Sequence, residues 1–169
     1  YGPSPLAMKA LRKFSQSHTF MYLEGYYGSL LVSKISKRFR VQEDRIIIYY
    51  GIEDFIRNLF SGLDPKKDHI LTNEKCFSYF EIFASFRKIK LHLFKLNKNN
   101  SSFSFDINDC LEKIKKYKPK VIIITTPNNP TGHRISFSDL EGIIQKSPKD
   151  SLFLIDETYC GFYPNYEEK

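Results

Sequence analysis

The sequence contains no apolar run of the roughly 18 residues that a membrane-spanning helix needs. Its start has no basic stretch followed by an apolar stretch, so no signal peptide is predicted. Cysteine is scarce: Cys76, Cys110 and Cys160 are widely spaced and odd in number. They provide neither a disulfide framework nor a CxxC metal pair. A reducing, cytoplasmic compartment is therefore expected.

Several ligand motifs are also missing. Neither GxGxxG nor GxxxxGK[ST] occurs, so nothing supports a dinucleotide site or a P-loop. The histidines have no metal-ligand spacing, and no metal site is predicted; they are His18, His69, His92 and His133. The net charge of +7 comes from lysines mixed with acidic residues along the whole chain. This pattern favours a solvated surface with affinity for anionic small molecules over a nucleic-acid interface.

Short apolar segments alternate with segments of helical periodicity. The chain of 169 residues is 41% apolar and can bury one good core. Helices are predicted from Ser4-Pro5 onward, at 29–39, around 55–60, at 77–86, from Asp106 to 117, and after a possible capping box formed by Ser138 and Glu141. Strands are predicted at 46–50, 69–72, 88–94, 121–125 and 152–155, with a loop or protruding turn at 97–104. This alternation predicts an α/β fold with a largely parallel sheet.

Ligands of such sheets bind beyond the carboxyl ends of the strands, so the residues that follow each strand carry the chemistry. Gly51 lies between an apolar run and a helix, where backbone N–H groups can face an anion. The segment 126–132 is a tight polar turn with two prolines, and its Asn129–Pro130 bond could be cis. Asp156 and Tyr159 follow the last strand. An aspartate, a tyrosine and an asparagine are thus expected to converge at one edge of the sheet.

The run Asn-Asn-Pro-Thr-Gly at 128–132, followed by an apolar strand and Asp-Glu-x-Tyr at 156–159, resembles the class I/II aminotransferases among fold-type I pyridoxal-phosphate (PLP) enzymes. The opening Tyr-Gly-Pro-Ser-Pro looks like the start of histidinol-phosphate aminotransferases and of the similar threonine-phosphate decarboxylases. This resemblance covers essentially the whole chain. It implies a three-layer α/β/α large domain, truncated, with a helical segment at 1–40, a partial PLP-binding domain at 41–169 and no C-terminal small domain.

The resemblance also implies roles for individual residues. Asp156 would pair with the protonated pyridine nitrogen of PLP and keep the ring an electron sink. Asn129 and Tyr159 would hydrogen-bond the phenolic oxygen of the ring, so Asp156 and Tyr159 are the predicted catalytic residues. Gly51, Ile52 and Glu53 would lie at the phosphate and bind it through backbone amides.

Three aromatic residues are assigned by the same resemblance. Phe77 would stack on the cofactor ring, although the usual Pro-x-Tyr-x-x-Tyr stretch has lost its proline and hydroxyls here. Tyr22 would reach the cofactor phosphate of a neighbouring subunit, which implies a homodimer with shared sites; the usual Tyr-Pro-Asp-Pro is Tyr-Leu-Glu-Gly at this point. Tyr1 would lie near the substrate.

The Schiff-base lysine of the family is expected on a later element than the Asp-x-x-Tyr strand. Lys146 and Lys149 precede that strand, and Lys169 follows it too closely. The arginine that binds the substrate carboxylate is expected in the small domain, so this chain alone is not expected to catalyse transamination. Three hypotheses stay open: an aminotransferase for an amino acid and a keto acid, with a phosphate-bearing substrate such as histidinol phosphate; a decarboxylase of threonine-phosphate type; and a non-catalytic remnant that binds PLP weakly or only a partner chain.

Overall fold

The computed structural model describes residues 2–16, 29–100 and 102–162. The chain divides into two compact units, Tyr1–Ile48 and Tyr49–Lys169, which are described separately. No helix among the described residues has the length and apolar character to span a membrane. The domain boundary expected between 40 and 41 stays a prediction.

The described residues of the first unit, 2–16 and 29–48, form two helices and a short 3-10 turn. Helix α1 spans Pro5–Ser15, helix α2 spans Ser29–Phe39, and the 3-10 turn spans Glu43–Arg45. Proline at the first position of α1 fits its fixed φ, as the sequence predicts. The strand predicted at 46–50 is wrong: Ile46 has extended dihedral angles, but no described strand pairs with this segment. An extended, apolar backbone becomes a strand only through a hydrogen-bonded neighbour.

The second unit is an α/β layer structure. Its helices are α3 Ile52–Ser61, α4 Tyr79–Phe86, α5 Ile107–Tyr117 and α6 Phe137–Lys146, and a 3-10 turn spans Cys160–Phe162. Its strands are β1 His69–Asn73, β2 Lys90–Phe94, β3 Leu96–Asn99, β4 Ser102–Phe105, β5 Val121–Thr125 and β6 Leu152–Asp156. The main sheet has the order β2-β1-β5-β6 with parallel neighbours, which confirms the predicted fold class. An antiparallel β3–β4 hairpin occupies the region where a loop or protruding turn was expected.

Two apolar clusters lie on opposite faces of the main sheet. Leu71, Ile122 and Ile124 face α5 and α6, whereas Ile70 and Ile123 face α3 and α4. This division follows from the two-residue repeat of a strand. All five residues of β5 are buried, as expected for a continuous β-branched run in the centre of a parallel sheet. The result is a three-layer α/β/α unit in which β5 and β6 carry the predicted site residues at their carboxyl ends.

The start of α6 differs from its prediction. The helix begins at Phe137 and is capped by Ser136, whose Oγ accepts a hydrogen bond from the backbone N–H of Asp139 at 3.0 Å. Ser136 Oγ also donates to a carboxylate oxygen of Asp139 at 2.6 Å. The capping box predicted from Ser138 and Glu141 is therefore wrong, because Ser138 already lies inside the helix. The extended backbone of Ser136 is what an N-cap requires.

Candidate active site

The loops that follow β5 and β6 meet at one edge of the sheet because the two strands are paired in register. Thr125 lies opposite Asp156 at the ends of the strands. The backbone N–H of Thr126 then donates to the carbonyl of Asp156 at 2.9 Å. This pairing brings the segment 126–133, which we call the amide loop, next to the Asp156–Tyr159 turn.

Asp156 is a buried carboxylate that is only partly satisfied. Its side chain is 6% exposed, and Oδ1 accepts hydrogen bonds from the backbone N–H and the hydroxyl of Thr158 at 3.1 and 2.6 Å. Within the described residues, no donor contacts Oδ2 and no cationic side chain pairs with the carboxylate. Burial of an ionised carboxylate without a counter-charge is costly. The group is therefore suited to a cationic N–H donor supplied by a ligand.

Asn129 and Tyr159 are brought together by the same pairing of strands. The Nδ2 of Asn129 lies 3.5 Å from the hydroxyl of Tyr159, at the long limit of a hydrogen bond. Both residues line a cavity of about 350 Å³ whose other lining residues are Pro127, Asn128, Pro130, Gly132 and Phe162. Apolar walls with one amide and one phenol fit a flat aromatic ligand that carries an oxygen substituent.

Phe77 does not line this cavity. It lies just before α4 and stacks on Tyr79, with 5.1 Å between the ring centroids and 17° between the planes. Its ring also packs edge-on against Phe80 at 6.0 Å and contributes to the apolar cluster that faces α3 and α4. The role of Phe77 in stacking on the cofactor stays a prediction.

Gly51, Ile52 and Glu53 form the start of α3 and likewise lie outside the cavity lining. Gly51 is the N-cap residue and has φ of +83°, a conformation that glycine adopts far more readily than other residues. Its backbone thus opens a helix N-terminus, as an anion cradle requires. Ile52 packs on the same apolar cluster as Phe77, and Glu53 is one of two acidic residues in the first turn. Phosphate binding by this turn stays a prediction.

Tyr1 and Tyr22, predicted to lie at the substrate and at a neighbouring subunit's phosphate, fall outside the described residues. Among the described residues, no group of three or more His, Cys, Asp or Glu side chains is arranged to hold a metal ion. Burial, with a smaller contribution from Glu81, raises the pKa of Cys76 to about 11. Burial likewise raises the pKa of Cys110 to about 12, so neither thiol is poised as a nucleophile.

Sequence reasoning missed the residue that anchors the amide loop. Asn128 is 2% exposed, and its Oδ1 accepts a hydrogen bond from Nδ2 of Asn73 at 3.1 Å. Its Nδ2 donates to the carbonyl of Lys75 at 3.1 Å and to Oγ1 of Thr131 at 2.6 Å. The sequence does contain a sign of this anchor, which is the position of Asn73. This residue directly follows the strand predicted at 69–72, just as Asp156 directly follows the strand predicted at 152–155.

His133 closes the amide loop, since its carbonyl accepts a hydrogen bond from the backbone N–H of Asn128. Its Nδ1 lies 2.6 Å from Oγ1 of Thr131, and its ring packs edge-on against Phe105 at 4.2 Å. Burial lowers the pKa of His133 below the ordinary value of 6.5. The Nε2 atom is buried and has no hydrogen-bond partner within the described residues. The imidazole is therefore neutral near pH 7.

The model of the family "Aminotransferase class I and II" matches residues 1–168. Among curated proteins, the histidinol-phosphate aminotransferase of Clostridium novyi is 31% identical over 123 residues, which cover 73% of this chain and 33% of the relative. That of Archaeoglobus fulgidus, histidinol-phosphate aminotransferase 1, is 29% identical over 162 residues, covering 96% of this chain and 48% of the relative. The chain belongs to the class I and II aminotransferase family.

Solved structures agree on the fold. Histidinol-phosphate aminotransferase from Sinorhizobium meliloti, solved in complex with pyridoxal-5'-phosphate, has a TM-score of 0.83 at 17% identity and covers 98% of this chain and 44% of that structure. Cystalysin from Treponema denticola, whose structure contains a pyridoxal 5'-phosphate cofactor, has a TM-score of 0.78 at 18% identity and covers 93% and 41% of the two chains. The chain thus has the fold of these enzymes and spans between a third and a half of the length of the relatives named above.

Proposed function

We propose that residues 1–169 form part of the cofactor-binding half of a PLP-dependent aminotransferase that acts on an amino-phosphate substrate of the histidinol-phosphate type. The observation that carries the proposal is the pairing of Asn129 with Tyr159 at the edge of the sheet where β6 ends in the buried carboxylate of Asp156. Membership of the aminotransferase family supports the reaction class. The names of the relatives support the substrate type.

The donors and acceptors of the site match the polar atoms of PLP. The second carboxylate oxygen of Asp156, which has no described partner, would accept from the protonated ring nitrogen, and that pairing would neutralise a buried charge. Asn129 and Tyr159 both offer donors toward one acceptor, as the phenolic oxygen requires. When bound, PLP supplies the electron sink for chemistry at the α-carbon of an amino substrate.

The residues of this chain would orient the ring and hold protons at defined atoms. Thr158 fixes the orientation of Asp156 through two hydrogen bonds to Oδ1, so that the other oxygen can hold a proton-bearing nitrogen in one direction. Pro127, Pro130 and Phe162 would give a flat ring apolar surface to lie against. Asp156 is not among the residues that line the cavity, and it would reach the ring nitrogen from the end of β6.

The whole protein would be a cytoplasmic homodimer. Three free cysteines fit a reducing compartment. The resemblance at Tyr22 supports a site completed by a second subunit, and the net charge of +7 suits a phosphorylated substrate. Gel filtration of the full-length protein tests the dimer, and mixing two inactive variants, one in Tyr22 and one in Asp156, tests whether hybrid sites regain activity.

The activity is tested by transamination of histidinol phosphate with a 2-oxo acid, using the full-length protein that contains these residues. Asp156→Ala should reduce turnover by about a thousandfold or more, because a buried pyridinium loses its counter-charge. Asp156→Asn retains an oxygen for Thr158, removes the charge and replaces the second oxygen with an NH2 donor, so its loss of turnover cannot be ascribed to a disrupted turn. Asp150→Ala changes an exposed aspartate and is the matched control. Near-normal turnover in both Asp156 variants would refute the assignment.

A further inference from the structure

We propose that Asn128 is a positioning residue for the cofactor site: its buried amide ties the amide loop to the end of β1 and thereby holds Asn129 against Tyr159. The inference rests on the proposed function, because it concerns how the same site is held in place. Asn128 itself has no side-chain donor left for a ligand, because both of its amide hydrogens are used within the protein.

The polar atoms of the Asn128 side chain bind two segments of the protein, the end of β1 with the residues just after it and the amide loop itself. Oδ1 accepts from Asn73, the last residue of β1, while Nδ2 donates to the carbonyl of Lys75 and to the hydroxyl of Thr131 within the loop. Although Asn128 borders the cavity, its amide points into these contacts and is 2% exposed. Both amide hydrogens are used, so Asn128 acts on a ligand only through the position of its neighbours.

The backbone of Asn128 also forms the base of the loop. Its N–H donates to the carbonyl of His133 at 2.9 Å, and its carbonyl accepts from the N–H of Gly132 at 2.7 Å. Asn129 follows directly, and its amide lies 3.5 Å from the Tyr159 hydroxyl. A hydrogen bond at this length is lost when the loop shifts by a fraction of an ångström. The anchor at Asn128 therefore controls whether both donors converge on one ligand oxygen.

Thr131 extends the anchor to His133. Its Oγ1 accepts from Nδ2 of Asn128 and lies 2.6 Å from Nδ1 of His133. The hydroxyl can donate to Nδ1 only while the imidazole is neutral, and the burial of His133 favours that state. Asn128, Thr131 and His133 thus form one chain of hydrogen bonds that crosses the loop. The hydroxyl of Thr131 is its middle member.

The chain offers a matched pair of variants for this hydroxyl. Thr131→Val has nearly the same shape but lacks the hydroxyl, whereas Thr131→Ser retains the hydroxyl and loses a methyl group. If the hydrogen bonds that link Asn128, Thr131 and His133 position Asn129, then Thr131→Val should weaken PLP binding and Thr131→Ser should retain it. A general loss of packing predicts the opposite order. Asn128→Ala removes the anchor itself, and Ser147→Ala removes a hydrogen bond of Ser147 to Ile143 at the end of α6, remote in sequence from the loop, as a stability control.

The experiment measures the dissociation constant of PLP by equilibrium dialysis against cofactor-free, full-length protein, at a temperature where circular dichroism shows every variant folded. Asn128→Ala and Thr131→Val should raise the constant by about tenfold or more, while Thr131→Ser and Ser147→Ala stay within about twofold of the wild type. An unchanged constant in Asn128→Ala, or equal constants in the two Thr131 variants, would overturn the proposal.

A second readout separates this inference from the proposed function. In the cofactor-free protein, hydrogen exchange of the Asn128 and Gly132 amides reports whether the loop is anchored. Asn128→Ala and Thr131→Val should accelerate both amides by about tenfold, and Thr131→Ser should not. A wild-type protein that binds no PLP would contradict the proposed function. Unchanged hydrogen exchange of the Gly132 amide in Asn128→Ala would contradict the positioning role.

Discussion

The side-chain amide of Asn129 lies 3.5 Å from the hydroxyl of Tyr159, although the two residues are 30 positions apart in the chain. Their proximity follows from the register of β5 and β6, in which Thr125 lies opposite Asp156. Asn129 lies in the loop that follows β5, and Tyr159 lies in the turn that follows β6. The pairing of β5 with β6 thus places the two side chains near each other. The position of the amide loop then sets the distance between the Asn129 amide and the Tyr159 hydroxyl.

The pairing of Asn129 with Tyr159 predicts that the two side chains act as a unit. In the full-length enzyme, Tyr159→Phe and Asn129→Ala should each lower kcat/KM for histidinol phosphate by about tenfold or more. The double variant should be less impaired than the product of the single losses, with a coupling of about 1 kcal/mol. Strict multiplication of the two losses would show that the side chains act separately.

The start of α6 predicts different effects for two neighbouring serines. Ser136→Ala should lower the free energy of unfolding by about 1 kcal/mol, because the Asp139 N–H loses its acceptor. Ser138→Ala removes only a contact of its Oγ with that of Ser136 and should cost less than half as much, about 0.5 kcal/mol or below. Urea unfolding of the two variants measures both values. A larger loss in Ser138→Ala would favour the capping box predicted from the sequence.

Two half-buried histidines, His92 and His133, predict that stability falls on acidification. Burial lowers the pKa of His133, and burial followed by His69 and nearby lysines lowers that of His92, each from an ordinary 6.5. Below that value the unfolded chain binds protons that the folded protein does not. The free energy of unfolding therefore falls as the pH drops from 6.5 through the folded pKa values, and these groups contribute no pH dependence above that range.

This pH dependence is measured by urea unfolding at about pH 7.5 and about pH 5.5. Carboxylates also contribute to acid destabilisation, so the comparison is with His133→Asn, which presents a polar group to Thr131 but does not titrate. The variant should lose less stability between the two pH values than the wild type does. An equal loss would show that His133 does not bind its proton preferentially in the unfolded chain.

The raised pKa values of Cys76 and Cys110, about 11 and about 12, predict slow alkylation. At pH 8, Cys76 should react with iodoacetamide roughly a hundredfold more slowly than in the urea-unfolded protein and Cys110 roughly a thousandfold more slowly, because only the thiolate reacts. Peptide mapping after timed quenching distinguishes the three cysteines. Rapid modification of Cys76 in the folded protein would contradict its partial burial against the apolar cluster that faces α3 and α4.

The fold class and the central members of the site follow from the sequence for physical reasons. The continuous β-branched run of β5 has no stable place except a sheet buried on both faces, and parallel pairing then brings the residues after β5 and β6 together. The segment 46–50 was mispredicted because its apolar composition says nothing about whether a partner strand is at hand. The amide of Asn128 was missed because two of its three partners, Asn73 and Lys75, lie 55 and 53 positions away in the chain, which local patterns do not reveal.

The most direct test of the proposed cofactor site is the dissociation constant of PLP for full-length wild-type protein and for Asp156→Asn. This substitution preserves the oxygen that Thr158 contacts, removes the carboxylate charge and replaces the second acceptor oxygen with an NH2 group. We expect the wild-type protein to bind one PLP per chain. In Asp156→Asn the dissociation constant of PLP should rise by about a hundredfold, because a charge-assisted bond to the ring nitrogen is lost. Equal dissociation constants for the two proteins would contradict the proposed cofactor site.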